Sequence, residues 1–140
     1  MYKPKYFSIK ELVNPILLNK IGIEIAWLLL DPYLLKCADR IREKYGPCTI
    51  NIGELKDCGL RDWTTQTGAK YSAHKFARAL DLHLQAIEKT AKTKIEKTKM
   101  YNKIRQELLQ DPEFELLNFE DNISWLHIDT FNRPRRIFNP

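Results

Sequence analysis

Apolar residues follow two rhythms along the chain, one of three and four residues and one of two. The clearest helical rhythm runs through Tyr33, Leu34, Cys37, Ala38, Ile41 and Tyr45, the spacing that covers one face of an α-helix. Asp31-Pro32 supplies a cap and a first helical position, and Gly46-Pro47 ends the pattern. This predicts a helix from about 32 to 45, with Asp39, Arg42, Glu43 and Lys44 outward. The two-residue rhythm is carried by Ala79-Leu80-Asp81-Leu82-His83-Leu84. On a strand it turns the leucines to the core and leaves Asp81 and His83 on a common surface or cleft.

Weaker patterns fill in the rest. Tyr6-Phe7-Ser8-Ile9-Lys10-Glu11-Leu12 reads as a hydrophobic staple and capping box, opening a short helix that stops near Asn14-Pro15. Pro15 to Leu30 is apolar without a clean period and is expected to be loop plus short helix. Cys48 to Ile52 reads as a short strand, and 53–70, with Gly53, Gly59 and Gly68, as a loop carrying Arg61 beside Trp63. Long structureless segments in compact domains tend to be functional. Ile87, Ala91, Ile95, Tyr101, Ile104 and Leu108 mark a helical stripe from about Gln85 to Gln110, and Asp111-Pro112 opens a short turn or helix. Leu116 to Phe119 and Ser124 to Thr130 form a hairpin around Glu120-Asp121-Asn122. The expected fold is α+β, one domain over residues 1–140, with a small antiparallel sheet and flanking helices.

Composition narrows this only a little. At 140 residues, 44% hydrophobic and 29% charged, the chain suits one globular core. The formal charge of +5 favours polyanions, yet lysines between 89 and 103 account for it as a solvated helix face. Nucleic acid, anionic cell-wall polymers and plain solubility all stay open on charge alone. Cys37, Cys48 and Cys58 are odd in number and lack CxxC spacing, which speaks for reduced thiols and against a disulfide framework or thiolate finger. Met1 to Lys10 is no secretory leader, and Ile21 to Leu30, broken by Gly22 and Glu24, is too short to span a bilayer. The expectation is synthesis in the cytoplasm without a signal peptide and without membrane insertion.

Chemistry enters with His74 and Asp81, seven residues apart, and His127, 46 residues further on. Two imidazoles and a carboxylate suit zinc, and three protein ligands leave a position for water. Spacing alone is a weak signal, since three histidines and eighteen acids offer many such triples.

A resemblance strengthens it. Ser72-Ala73-His74 with Ala79-Leu80-Asp81, followed by Trp125-Leu126-His127, resembles the SxHxxGxAxD and WxH signatures of peptidase family M15. That family comprises zinc D-Ala-D-Ala carboxypeptidases, dipeptidases and phage endolysins of the hedgehog/DD-peptidase fold. Tyr6 to Leu12 is similar to the opening of small phage-type members, and Cys58-Gly59-Leu60-Arg61 to their SGxR element. The resemblance implies Zn2+ held by His74, Asp81 and His127. It implies Arg61 on a substrate carbonyl or terminal carboxylate, Ser72 orienting the first ligand or the substrate, and Trp125 in the substrate site. It further implies a monomer hydrolysing peptide bonds of peptidoglycan stem peptides or cross-bridges, reaching the wall by phage-type release.

Two positions depart from the family pattern. Ala77 stands where glycine is usual, and Ser124 where the general-base glutamate is usual. Glu120, seven residues before His127, is the choice for the base, with Asp121 second. Asp129 shares a strand face with His127 and reads as its hydrogen-bond partner or a surface acid rather than a ligand, and His83 as a solvent-facing histidine. Two other readings are a catalytically silent relative that binds zinc or wall peptide, and a basic nucleic-acid-binding module.

Overall fold

Local signals at the N-terminus form as the sequence predicts. The Ser8 amide donates to Glu11 Oε2 at 2.9 Å and opens α1, Ile9–Leu12. The computed structural model describes residues 1–139. Asn14 caps the next helix, α2, Pro15–Leu29, its side chain accepting from the Ile16 and Leu17 amides. Here the expected loop plus short helix is corrected: helix runs on both sides of Gly22, whose φ of 79° and ψ of 166° interrupt it. The break shifts the phase of the apolar residues, and only Leu17 and Ala26 are buried, so no single period was visible.

The predicted helix at 32–45 is α3, Pro32–Tyr45, capped by Asp31. Asp39, expected outward, is instead buried. The N-terminal arm folds over it, and its carboxylate accepts from the Tyr2 hydroxyl at 2.5 Å and the Lys5 amide at 2.7 Å. The following strand is shorter than expected, β1 being only Cys48–Thr49.

The alternating segment is β2, Ala79–Leu84, with Leu80, Leu82 and Leu84 at most 1% exposed. The long stripe after it is two helices, α4, Gln85–Thr90, and α5, Lys94–Gln110. Ala91 ends the first and Thr93 caps the second, accepting from the Glu96 amide while Glu96 accepts from the Lys92 amide. Ile95 consequently points to solvent.

A 3-10 turn at Pro112–Phe114 leads into β3, Asn118–Glu120, β4, Leu126–Asp129, and β5, Ile137–Phe138. The sheet order is β1-β2-β4-β3-β5. All neighbours are antiparallel except β3 and β5, so the sheet is mixed rather than antiparallel. Two residues of the C-terminal segment make the parallel edge, the Arg136 and Phe138 carbonyls accepting from the Phe119 and Asp121 amides.

Leucines of β2, Leu126 and Ile128 of β4 and Phe119 of β3 share one core cluster with Leu34, Leu35 and Ile41 of α3. Each such side chain contributes about 1.5–3 kcal/mol on burial. Arg105 of α5 is fully buried beside them, Nη2 donating to the Ile123 carbonyl at 2.7 Å and to the Trp125 carbonyl. It thereby ties down the segment that precedes His127. The three cysteines are free and buried. Among the described residues no helix is long and apolar enough to cross a membrane.

Candidate metal centre

Period two puts Asp81 on the face of β2 opposite the leucines, and its amide is fixed by the Cys58 carbonyl at 2.7 Å. His127 of β4 lies directly across from it in register. His74 comes from a 3-10 turn, Ala73–Phe76, whose cap is Ser72, the hydroxyl accepting from the His74 amide at 3.4 Å. The turn closes through Ala77 at φ 57° and ψ 27°, the left-handed region. An alanine there carries about 1–2 kcal/mol of strain that glycine avoids.

Tautomers follow from the partners. His74 Nδ1 lies 2.9 Å from the Gly59 carbonyl, which can only accept, so Nδ1 carries the proton. The carbonyl is brought there by a close main-chain approach: a Cβ on Gly59 would sit 2.1 Å from the Leu12 oxygen. His74 Nε2 is left with a lone pair, buried and without a hydrogen-bond partner, 3.3 Å from Asp81 Oδ2. A lone pair and a carboxylate side by side in the interior need a cation to offset their desolvation.

His127 completes the group. Its Nδ1 lies 2.8 Å from Asp81 Oδ1, and its Nε2 lies 3.1 Å from Asp129 Oδ2. Asp129 is fully buried and also accepts from Arg133 Nη2 at 2.7 Å and Asn118 Nδ2 at 2.8 Å. Burial pulls the His127 imidazole down, but hydrogen bonds to Asp129 and Asp81 outweigh it and push it up to about 9. Burial holds His74 below its usual value against the attraction of Asp81. Burial raises the Asp81 carboxyl, yet the two imidazoles hold it well below the usual carboxylate range. Asp129, likewise raised by burial, is brought down to about 2 by hydrogen bonds from His127, Arg133 and Asn118. The inner oxygens and nitrogens therefore favour positive charge between them. A divalent cation at Nδ1 of His127 would take the place of a proton, while Nε2–H stays on Asp129.

One ligand atom from each of His74, Asp81 and His127 lies within 4.8 Å of the others, and all three residues are buried. These donors fit a metal ion, and the orphaned His74 Nε2 is the atom that asks for one.

The group opens onto a cavity of about 580 Å³ whose wall includes Arg61, Ser72, Glu120, Trp125 and Phe138. Four residues expected around the substrate are thus gathered at the cluster. Glu120 arrives by register. Asn118 pairs with Asp129 and Phe119 with Ile128, so Glu120, two residues past Asn118, lies on the strand face that Asn118 shares with Asp129. Asp81 and His127 pair across β2 and β4, while Glu120 of β3 pairs with Phe138 of β5, and all four wall the same cavity. Asp121, one residue on, is not part of the cavity wall.

Arg61 is buried, with Nε on the Asp57 carbonyl at 2.6 Å, Nη1 on the Thr67 carbonyl at 3.4 Å and Nη2 on Asp81 Oδ2 at 3.4 Å. His83 stands apart from the metal group, 3.7 Å from the Cys58 sulfur and 3.8 Å from Glu88. It is partly buried rather than solvent-facing.

Sequence reasoning missed Arg105, Arg133 and Phe138. Position 105 falls on the Tyr101–Leu108 stripe, a signal that was there to read. Arg133 and Phe138 belong to a segment whose only mark is its run of basic residues. Fold and site define a class: an α+β domain that carries, on the open face of its sheet, a buried group of two histidines and an aspartate able to hold a metal ion. No protein-family model matches the chain, and neither a curated protein nor a solved structure matches it.

Proposed function

We propose that the chain is a zinc-dependent peptidase cleaving peptide bonds in bacterial peptidoglycan stem peptides or cross-bridges, in the manner of a phage endolysin released to the wall. The observation that carries this reading is the cavity that Glu120 shares with a buried two-histidine, one-carboxylate donor set. The residue pattern shared with peptidase family M15 supplies the substrate class. His74, Asp81 and His127 would hold the ion. Zinc bound there lowers the pKa of a water and polarises a carbonyl.

Glu120 takes the proton of the attacking water and hands it to the leaving amine. Arg61, its guanidinium already aligned by Asp57, Thr67 and Asp81, offers the second N–H of Nη1 to the scissile carbonyl. Asp129 holds His127 in the tautomer that presents Nδ1. Trp125 and Phe138 give the peptide apolar walls.

The test is metal analysis of the purified protein together with digestion of muropeptides followed by mass spectrometry. One zinc per chain is expected, lost in His74→Ala. Glu120→Gln is expected to keep zinc and lose about 10²–10⁴-fold in turnover. Protein without stoichiometric zinc and indifferent to His74→Ala would end the reading. Zinc without hydrolysis would define a silent relative, and undiminished turnover in Glu120→Gln would remove that residue from the base role.

A further inference from the structure

We infer that the mouth of the site is a sugar-binding platform: Trp63, Phe76 and Phe131 form an aromatic strip that takes the glycan strand to which a stem peptide is attached. That the sugar is wall glycan rests on the peptidase reading above; that the strip binds sugar does not.

Three rings meet in sequence. Trp63 and Phe76 lie 4.6 Å apart, centroid to centroid, at 83°, and Phe76 and Phe131 lie 5.6 Å apart at 57°. Two of them stand in solvent, Trp63 being 54% exposed and Phe76 42%. Phe131 is partly buried and belongs to the wall of the 580 Å³ cavity that holds His74, Asp81 and His127. The strip therefore runs from open surface to the metal group. All three rings lie outside the core cluster, so folding does not account for their placement. Single exposed aromatics are ordinary, whereas joined ones beside a cavity mark a binding surface.

The backbone fixes the strip before any ligand arrives. The Arg61 amide donates to the His74 carbonyl at 3.1 Å, and Trp63 and Phe76 each follow that bond by two residues on their own segment. Between Arg61 and Trp63, the buried Asp62 accepts from Lys20 Nζ at 3.0 Å and from the Thr64 hydroxyl. Its carbonyl accepts from the Thr65 amide at 3.1 Å and closes the turn that presents Trp63.

Ring chemistry selects the partner. An edge-to-face contact covers at most one face of either ring, and the π face is electronegative. A pyranose offers the complement, a flat patch of weakly positive C–H groups bordered by hydroxyls that need polar partners. Thr64, Thr65 and Gln66 follow Trp63 directly, Thr64 and Gln66 exposed and Thr65 half-buried. A bilayer would instead take a wide apolar face flanked by free cations. Here Arg78, two residues past Phe76, is held by Asp31 at 3.2 Å and by Thr130 at 2.6 Å, and Lys20 by Asp62. A second copy would need about 800 Å² on each partner, and an aromatic side chain supplies about 150–250 Å². Continuity with the cavity completes the case: a stem peptide lying at the metal group carries its own sugar out over Phe131, Phe76 and Trp63.

The probe is chitin tetrasaccharide, titrated into the full chain and followed by calorimetry and by the indole N–H resonance of Trp63. Saturable binding is expected, weakened about tenfold or more in Trp63→Ala and by less than about threefold in Trp63→Phe, which keeps an aromatic face. Phe76→Ala is the independent second variant, and both positions are exposed enough for the fold to tolerate truncation. Absence of saturable binding, or binding that neither alanine variant weakens, would overturn the inference. So would capture of the protein by phosphatidylglycerol vesicles, or a dimer, that depends on Trp63 while the sugar does not bind. With zinc-loaded protein, kcat/KM is compared for a disaccharide-linked stem peptide and the same peptide freed of sugar. The ratio of the two is expected to fall about tenfold in Trp63→Ala, and an unmoved ratio would remove the glycan from the strip. Sugar binding requires neither zinc nor turnover. Protein that binds the tetrasaccharide through Trp63 but hydrolyses nothing would sink the peptidase reading and leave the platform standing.

Discussion

Replacing Asp129 with asparagine takes one charge from a side chain that is fully buried and surrounded by donors. Its two oxygens accept from His127 Nε2 at 3.1 Å, Arg133 Nε at 2.9 Å and Nη2 at 2.7 Å, Asn118 Nδ2 at 2.8 Å and the Phe131 amide at 3.1 Å. An amide keeps one acceptor and points its NH₂ at groups that also donate. Two magnitudes follow. For the metal, losing the anionic partner of a ligating histidine weakens affinity by about 10–100-fold, or about 1.4–2.8 kcal/mol. One hydrogen bond to a charged group contributes about 1.5–3 kcal/mol, which agrees. For the fold, breaking a buried ion pair costs about 3–5 kcal/mol. The Arg133 side chain is 27% exposed and can find water, so the low end applies. About 3 kcal/mol corresponds to a fall in Tm of about 6–12 °C. Competition with a chromophoric zinc chelator at 25 °C and calorimetry of the metal-free protein measure the two. Arg133→Gln is the control, since it spares the contact to His127. It should lose stability with zinc affinity held within about threefold. If Asp129→Asn binds zinc as tightly as the parent while folded, His127 does not ligate through Nδ1 with Nε2 on Asp129, and the centre has been assembled wrongly.

Two further substitutions probe the backbone that presents His74. Ala77→Gly relieves the left-handed strain at φ 57° and is expected to stabilise by about 0.5–1 kcal/mol after the extra entropy of unfolded glycine, raising Tm by about 1–4 °C; a lower Tm would refute strain at that residue. Gly59→Ala drives a Cβ to within 2.1 Å of the Leu12 oxygen and is expected to cost about 2–3 kcal/mol in urea unfolding, with zinc affinity reduced because the acceptor of His74 Nδ1 moves. Stability equal to the parent would show that α1 and the site loop are not locked together at that contact.

What the sequence disclosed was what local physics decides. The Asp31-Pro32 cap, the Ser8–Glu11 box and the alternation through Leu84 each act within a few residues, and each formed. Thr93 and Glu96 form the same kind of local cap, and the apolar stripe that runs on across them masks it. Asp39 could not be read this way, because what buries it is an arm more than thirty residues distant in sequence. The parallel edge strand is two residues long and exists only through its bonds to β3. No propensity marks so short a piece. Of the site, spacing gave only a weak pointer to His74, Asp81 and His127, and likeness to a family pattern did the selecting. What neither conveyed was how the three are held: the Gly59 carbonyl, the Asp129 carboxylate and the buried Arg105 are contacts made across the fold.

Glu120 shows why a motif read along the chain and a site built across a sheet disagree without conflict. A glutamate three residues before His127 would fall at 124, in the connection between β3 and β4 that Arg105 anchors through the Ile123 and Trp125 carbonyls, and Ser124 takes no part in the cavity wall. Proton transfer requires a carboxylate within hydrogen-bond reach of the reacting water, not at a fixed count from a ligand. Directly opposed side chains on antiparallel strands have Cβ atoms about 4.5–5.5 Å apart. The register sets Asp81 against His127 on one side, and on the other β3 carries Glu120 one residue past the Phe119–Ile128 pair into the same cavity wall, so the sheet brings ligands and acid to one space. An acid at position 118 would stand opposite Asp129, and one at position 122 would lie beyond the end of β3. Position 120 is therefore the one place on β3 that reaches the cavity wall beside His127, whatever residue occupies position 124.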